Sequence, residues 1–231
     1  MLPPQSRCQN ASMLLDAALR DLIRTHLASL DVRRVPHGPH HAAAVAVAIT
    51  EEGPGANVDG LARPAGWSRE AALILTRRAS TLSNHAGQWA LPGGRMDEGE
   101  TAEAAALREL SEEVGLQVDA ADVLGTLDDY VTRSGFVITP VVVWAGPAPT
   151  LTPNEAEVES VHRIRIAEFM RADAPLLEPS EDPGRQILRM PVGRSWIAAP
   201  TAAVLYQFRE ACIAGRATRV AHFDQPLFAR R

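Results

Sequence analysis

Apolar residues recur at Leu14, Leu15, Ala18, Leu19, Leu22, Ile23, Leu27 and Leu30. That spacing follows the 3.6-residue period of an amphipathic helix, and Pro36-His37-Gly38-Pro39 breaks it. The period then shortens. Residues 42–50 and 71–76 read as strands, separated by a glycine- and proline-containing loop over 51–67. Residues 102–114 return to helical spacing, with Thr101 placed to cap the start, Glu103 in the first turn and Gly115 suited to a left-handed end. Apolar runs at 123–127 and 136–144 predict further strands, followed by a short strand at 161–166 and a small helix at 167–171. Past Pro175 a loop leads to strands at 186–190 and 195–197, and Pro200 fixes a turn before an amphipathic helix over 201–214. There is no internal repeat and no low-complexity segment.

Strands interspersed with a few helices imply class α/β (α+β), an α/β/α sandwich around a mixed sheet. Three parts are expected: a helical extension over 1–40, a central domain over 41–172, and a C-terminal extension over 173–231 whose last helix packs on the same domain. The apolar stripe of the first helix serves either as a docking face on that domain or as a surface for a partner. The chain has 231 residues, long enough for one sizeable core with extensions.

Charge narrows the function classes. With 28 acidic against 23 basic residues the net charge is −5, and no basic block marks a nucleic-acid surface. All the basic residues are arginine, so a side-chain cation on a phosphate would be a forked guanidinium or a histidine. Only Cys8 and Cys212 are present, which offers neither a disulfide framework nor zinc spacing and fits a reducing cytoplasm. No apolar stretch reaches the ~20 residues needed to cross a membrane. The His37, His40, His41 cluster has no carboxylate or cysteine beside it in sequence, a poor zinc set.

The densest chemistry lies at residues 94–116, GRMDEGETAEAAALRELSEEVGL. At about 100° per residue, Glu109, Glu112 and Glu113 fall within an arc of roughly 100°, while Leu107, Leu110 and Val114 form a separate apolar stripe. Ala102, Ala105 and Ala106 are expected to leave room beside the carboxylates for a metal-bound ligand. Arg108 stands within reach of Glu112. A solvated acidic face is the alternative, since like charges at i,i+4 cost a helix only about 0.2–0.5 kcal/mol per pair. The spacing argues against it. Gly94, Glu100, Arg108, Glu109, Leu110, Glu112, Glu113, Gly115 and Leu116 fill the pattern Gly-x5-Glu-x7-Arg-Glu-aliphatic-x-Glu-Glu-x-Gly-aliphatic. A chance match in one register is on the order of 10⁻⁹.

This pattern resembles the box of the Nudix hydrolases, a likeness that extends over about residues 41–172. It implies a Nudix-type α/β/α sandwich around a mixed β-sheet. It also implies Mg²⁺ or Mn²⁺ held by Glu109, Glu112 and Glu113 with a carbonyl of Gly93 or Gly94, and Glu100 paired with Arg108 in support. Hard cations on oxygen ligands suit a diphosphate, which repels hydroxide and leaves as a poor anion. Glu112, Glu113 and Arg108 are the expected catalytic residues. Glu157, in Asn154-Glu155-Ala156-Glu157-Val158, falls where many such enzymes place an assisting glutamate, and is otherwise a solvated loop acid.

The preceding segment, residues 74–94, resembles the mark of the coenzyme A pyrophosphatase branch. Leu75, Thr76, Arg78, Ala79, Gly87, Pro92, Gly93 and Gly94 match, while Ile74, Ser83 and Leu91 depart. Ser83 replaces an arginine that could grip an extra phosphate. Arg77, Arg78 and His85 are the candidate substrate contacts. The resemblance thus implies cleavage of coenzyme A or acyl-CoA to 4′-phosphopantetheine, or its acyl form, and 3′,5′-ADP. ADP-ribose-like compounds or nucleoside triphosphates are alternative substrates, and a non-catalytic ligand sensor is the alternative class. The expected partner is a small nucleotide diphosphate, with no nucleic acid and no membrane; monomer and homodimer are both open.

Overall fold

Alternation along one long strand, His41–Gly53 (β1), decides the layering. Ala44, Ala46 and Ala48 point to one side and Val47 and Ile49 to the other, all fully buried. A strand buried on both faces belongs at the centre of a sheet with cover above and below. The computed structural model describes residues 12–80 and 87–226. Cys8, Ser83 and His85 therefore lie outside the described residues.

Before β1 comes the helix α1 (Ala17–Ser29). After it follow β2 (Ser68–Arg78), β3 (Trp89–Ala90), β4 (Gly93–Arg95), α2 (Ala102–Val114), β5 (Val123–Thr126), β6 (Tyr130–Val131), β7 (Phe136–Gly146) and β8 (Val158–Arg165). The remainder comprises α3 (Ile166–Phe169), β9 (Leu176–Pro179), β10 (Gln186–Val192), β11 (Ser195–Ala198), α4 (Thr201–Gln207) and β12 (Phe223–Asp224). The main sheet runs β3-β2-β1-β7-β5, with β4 on β1, β6 on β7 and β8 on β2. β1 and β7 are parallel and the other pairs antiparallel, which makes the sheet mixed.

On one face, α2 sets Ala105, Ala106, Leu110 and Val114 against Ala44, Ala46, Ala48, Ile74, Val141 and Val143. The small alanines on both elements let the helix come close to the sheet. Ala105 and Ala106 are thus fully buried, packed on the sheet in the docking face they share with Leu110. On the other face, α1 packs Leu19, Ile23 and Leu27 into a core with Val47, Ile49, Leu73 and Leu75. The first helix is therefore a docking face on its own chain: Asp16 caps it by accepting from Leu19 N at 2.9 Å, and His26 Nδ1 meets the Cys212 carbonyl at 2.8 Å.

Two local expectations change. The loop expected at 51–67 begins later, because Glu51 and Gly53 still pair with Ala71 and Ser68. The helix expected over 201–214 is α-helical only through Gln207, then widens into a π-helical stretch, Phe208–Ile213. The C-terminal strands form a sheet of their own, β11-β10-β12 with β9 on β10, which places Leu188, Met190, Val192 and Ile197 against the second face.

Candidate active site

Local sequence builds the acidic helix. Thr101 Oγ1 accepts from Ala104 N at 3.2 Å, and Gly115 takes φ 67° to close α2 with its N–H on the Leu110 and Ser111 carbonyls. Immediately upstream, the Pro-Gly-Gly turn is drawn against β1: Ala46 N donates to Pro92 O at 2.7 Å, and Gly93, Gly94 and Arg95 pair with Val45, Ala44 and Ala43. Glycine is required at both positions for different reasons. A Cβ at Gly93 would fall 2.4 Å from the Ala44 carbonyl oxygen, whereas one at Gly94 would fall 2.3 Å from Glu109 Oε1. The turn therefore lies directly on the Glu109 carboxylate.

Arg108 organises the rest. Its Nε donates to Glu100 Oε1 at 2.9 Å, its Nη2 to Glu100 Oε2 at 3.0 Å and to the Arg95 carbonyl at 2.9 Å. Its Nη1 reaches Glu109 Oε1 at 2.8 Å and Glu112 Oε2 at 3.1 Å. The forked grip holds the Glu100 carboxyl below its ordinary range. Burial pushes Glu109 up against the opposing pull of Arg108. Glu113 is buried more deeply, and desolvation followed by repulsion from Glu109 pushes it up to about 8, with Arg78 and the Gly93 backbone acting the other way. Glu112 is the exposed member, its side chain 56 % accessible.

Glu157 arrives from a distant loop. Asn154 N donates to the Glu113 carbonyl and Ala79 N to the Glu157 carbonyl, both at 2.9 Å, so the loop is tied between the ends of α2 and β2. The charge of Glu157 acts on both Glu109 and Glu113. The structure thus brings together Gly93, Gly94, Arg78, Glu100, Arg108, Glu109, Glu112, Glu113 and Glu157.

As the side chains stand, no three histidine, cysteine or carboxylate groups converge as a metal cluster among the described residues. Neither the histidines at 37, 40 and 41 nor the three glutamates do so, and for the glutamates the reason is visible: Arg108 Nη1 occupies Glu109 and Glu112 together. The donor chemistry nevertheless fits a hard divalent cation. Two buried carboxylates, Glu113 raised by Glu109 and Glu109 itself raised by burial, lie beside a glycine turn whose missing Cβ leaves the Glu109 oxygens against backbone. A cation there would relieve the repulsion that Arg108 and Arg78 now offset.

Beside the turn opens a cleft of about 890 Å³, lined by Gly93, Gly94, Arg95, Trp89, Arg77 and Arg78 among others. It extends to Ser195–Ala198 and Pro200, so the C-terminal extension forms its far wall. That volume suits a nucleotide-sized ligand. The box glutamates do not line the cleft; they adjoin it through Gly94. The Arg77 guanidinium lies 4.1 Å over the Trp89 ring, and Arg95 lies 5.2 Å over Phe136. His162 stands edge-on to Trp89 at 4.9 Å, and burial, reinforced by Arg77, pushes its pKa down to about 4. Sequence reasoning passed over Trp89, Arg95 and His162 as site residues. Arg95 carried a signal in directly following the glycine turn; His162, in a strand that also holds Glu159, Ser160, Arg163 and Arg165, carried none.

Comparison with known proteins places this geometry. The NUDIX domain family matches residues 63–189. An uncharacterized Nudix hydrolase, NudL, of Cronobacter sakazakii is 44% identical over 103 residues, 44% of this chain and 54% of that protein. The chloroplastic Nudix hydrolase 22 of Arabidopsis thaliana is 41% identical over 102 residues, 43% of this chain and 34% of that one. The match therefore spans only about half the length of the bacterial relative and less of the plant one. Among solved structures, a MutT/nudix family protein from Enterococcus faecalis superimposes with a TM-score of 0.50 at 16% identity, over 90% of this chain and 73% of that one. At that identity the likeness concerns the fold alone.

Proposed function

Since the matched NUDIX domain takes in more than half of it, the chain belongs to the Nudix family, and from that premise we propose that it hydrolyses the diphosphate linkage of a nucleotide derivative. The observation that carries this reading is the joining of the box to a nucleotide-sized cleft at Gly93-Gly94. Glu109, Glu112 and Glu113, with a carbonyl of Gly93 or Gly94, are the residues to hold Mg²⁺ or Mn²⁺. When bound, such an ion neutralises diphosphate charge and acidifies the attacking water. Arg108 positions the carboxylates through its grip on Glu100. Arg78, whose charge acts on Glu113, is the cation for the diphosphate. Glu157, within electrostatic reach of Glu109 and Glu113, is the candidate general base.

Coenzyme A or acyl-CoA is the proposed substrate, cleaved to 3′,5′-ADP and 4′-phosphopantetheine or its acyl form. What supports it is the segment before the box: Leu75, Thr76, Arg78, Ala79, Gly87 and Pro92 keep the branch pattern, and Arg77, facing the cleft without an ion-pair partner among the described residues, offers a guanidinium of the kind that Ser83 lacks. The test is incubation of the purified chain with Mg²⁺ or Mn²⁺ and coenzyme A, acyl-CoA, ADP-ribose and nucleoside triphosphates, with products weighed by mass spectrometry. 3′,5′-ADP from coenzyme A is expected. Turnover of ADP-ribose or a triphosphate without it discards the coenzyme A substrate; silence on every compound discards the enzyme in favour of a ligand sensor.

A further inference from the structure

Arg77 and Arg78 are adjacent on β2 but face different surroundings. Alternation sends Ile74 toward α2 and Leu73 and Leu75 toward the opposite core, so successive side chains of the strand diverge. The charge of Arg78 acts on Glu113, at the box. Arg77 looks the other way: it covers Trp89, and its charge acts on His162.

Arg77 is held but not neutralised. Its Nη1 donates to the Gly87 carbonyl at 2.7 Å and its guanidinium carbon lies 4.1 Å from the Trp89 ring centroid. Among the described residues no carboxylate lies within ion-pair distance of it; Glu159 acts on it only from farther away. Trp89 beneath it is 7 % exposed, and its indole Nε1 is buried with no hydrogen-bond partner. Buried donors are rarely left so. An indole N–H donates only, and a guanidinium donates only, so whatever completes this pair is an acceptor, and the un-neutralised charge of Arg77 favours an anionic one. Arg77, Gly87 and Trp89 line both the main cleft and an adjoining recess of about 490 Å³, which places them at the junction of the two. The charged side chains facing that recess are Asp59, Glu159 and Arg194 besides Arg77, and His162 there is hydrogen-bonded to Ser160 at 2.8 Å.

We propose that Arg77 and the Trp89 indole N–H form a second anion subsite, which receives a phosphomonoester that the substrate carries outside its scissile diphosphate. A guanidinium held over a ring and fixed at one nitrogen presents its remaining N–H groups in a set direction, the arrangement that suits a phosphate's several oxygens. The subsite deepens the diphosphatase reading and rests on it: it selects nucleotides bearing a further phosphate over those without one.

The test is calorimetric binding of 3′,5′-ADP and of 5′-AMP, which differ by that phosphate alone, to the full chain. The wild type is expected to bind 3′,5′-ADP about tenfold more tightly, the scale of one charge-assisted hydrogen-bonded contact. Arg77→Gln should bring the two affinities within about twofold of each other. Trp89→Phe keeps the ring under Arg77 and removes only the N–H, so it should narrow the preference about threefold and decides the matter if Arg77→Gln fails to fold. Equal affinities in the wild type, or an unchanged preference in the folded variants, overturn the subsite. A preference for 3′,5′-ADP in a chain that cleaves no diphosphate keeps the subsite and removes the hydrolase; diphosphate cleavage without the preference does the reverse.

Discussion

Adding one methyl group at each of two adjacent glycines should separate folding from activity. At Gly93 the new Cβ would meet the Ala44 carbonyl oxygen at 2.4 Å and the Val45 Cα at 2.7 Å. These are backbone atoms of the central strand, and they cannot give without breaking the β1–β4 pairing. Overpacking of about 1–3 kcal/mol, with about 1 kcal/mol for a lost hydrogen bond, gives about 2–4 kcal/mol. For a chain of this size that lowers Tm by roughly 5–15 °C. At Gly94 the Cβ would instead meet Glu109 Oε1 at 2.3 Å, the movable end of a side chain. Gly94→Ala should fold, with Tm within about 4 °C of the wild type, because the displaced carboxylate gives up only its contact with Arg108. Its turnover should fall at least about 10²-fold, the usual result when a positioned group shifts by an ångström. Thermal melts and steady-state hydrolysis of coenzyme A, or of whichever diphosphate the panel identifies, measure both. Full activity in Gly94→Ala, or an unshifted melt in Gly93→Ala, would refute the placement of the turn against Glu109 and β1.

Glu112→Gln should abolish turnover and leave the melt within about 1 kcal/mol, since an exposed ion pair contributes little; near-normal kcat would remove Glu112 from the site. Mg²⁺ or Mn²⁺ at a hundredfold over its Kd should add about 2.7 kcal/mol of stability and raise Tm by roughly 5–11 °C. The Glu109→Gln/Glu113→Gln double variant should lose that shift, and a wild-type melt indifferent to both ions would sink the metal assignment. Acid stability should depend on His162. Its folded pKa of about 4 lies below the ordinary 6.5, so between those values the unfolded chain binds a proton that the folded chain refuses, and stability falls as pH drops through that window. The loss is up to about 3 kcal/mol. Denaturant midpoints of His162→Gln should be flatter than those of the wild type from pH 7 down to 4, and parallel curves would contradict the buried neutral imidazole.

The acidic helix could be read with little error because its information is local. Thr101, Glu103, Gly115 and the 100° spacing bound α2 at Ala102–Val114, as the structure has it. What spacing could not tell is how three glutamates on one face differ. Glu113 is buried and raised, Glu112 is exposed, and Glu109 lies under Gly94. Those differences depend on what packs above each turn of the helix. The same reason applies to the alanines: Ala105 and Ala106 have no apolar bulk to mark a docking face, and only the equally small Ala44, Ala46 and Ala48 opposite make them one. Strands of two or three residues, such as β3 and β4, are too short to carry a period.

By itself the sequence determined the family, the helix that carries the carboxylates and the turn before it, since these are written in one continuous stretch, and it implied the mixed α/β architecture from the order of its elements. Tertiary structure alone decided that Glu157 comes to the box from a loop more than forty residues away, and that the C-terminal strands wall a cleft beginning at Gly93-Gly94. These are contacts between segments far apart in the chain. Their distances are set by how an eight-stranded sheet and its covering helices pack, a quantity that no local spacing of residues records.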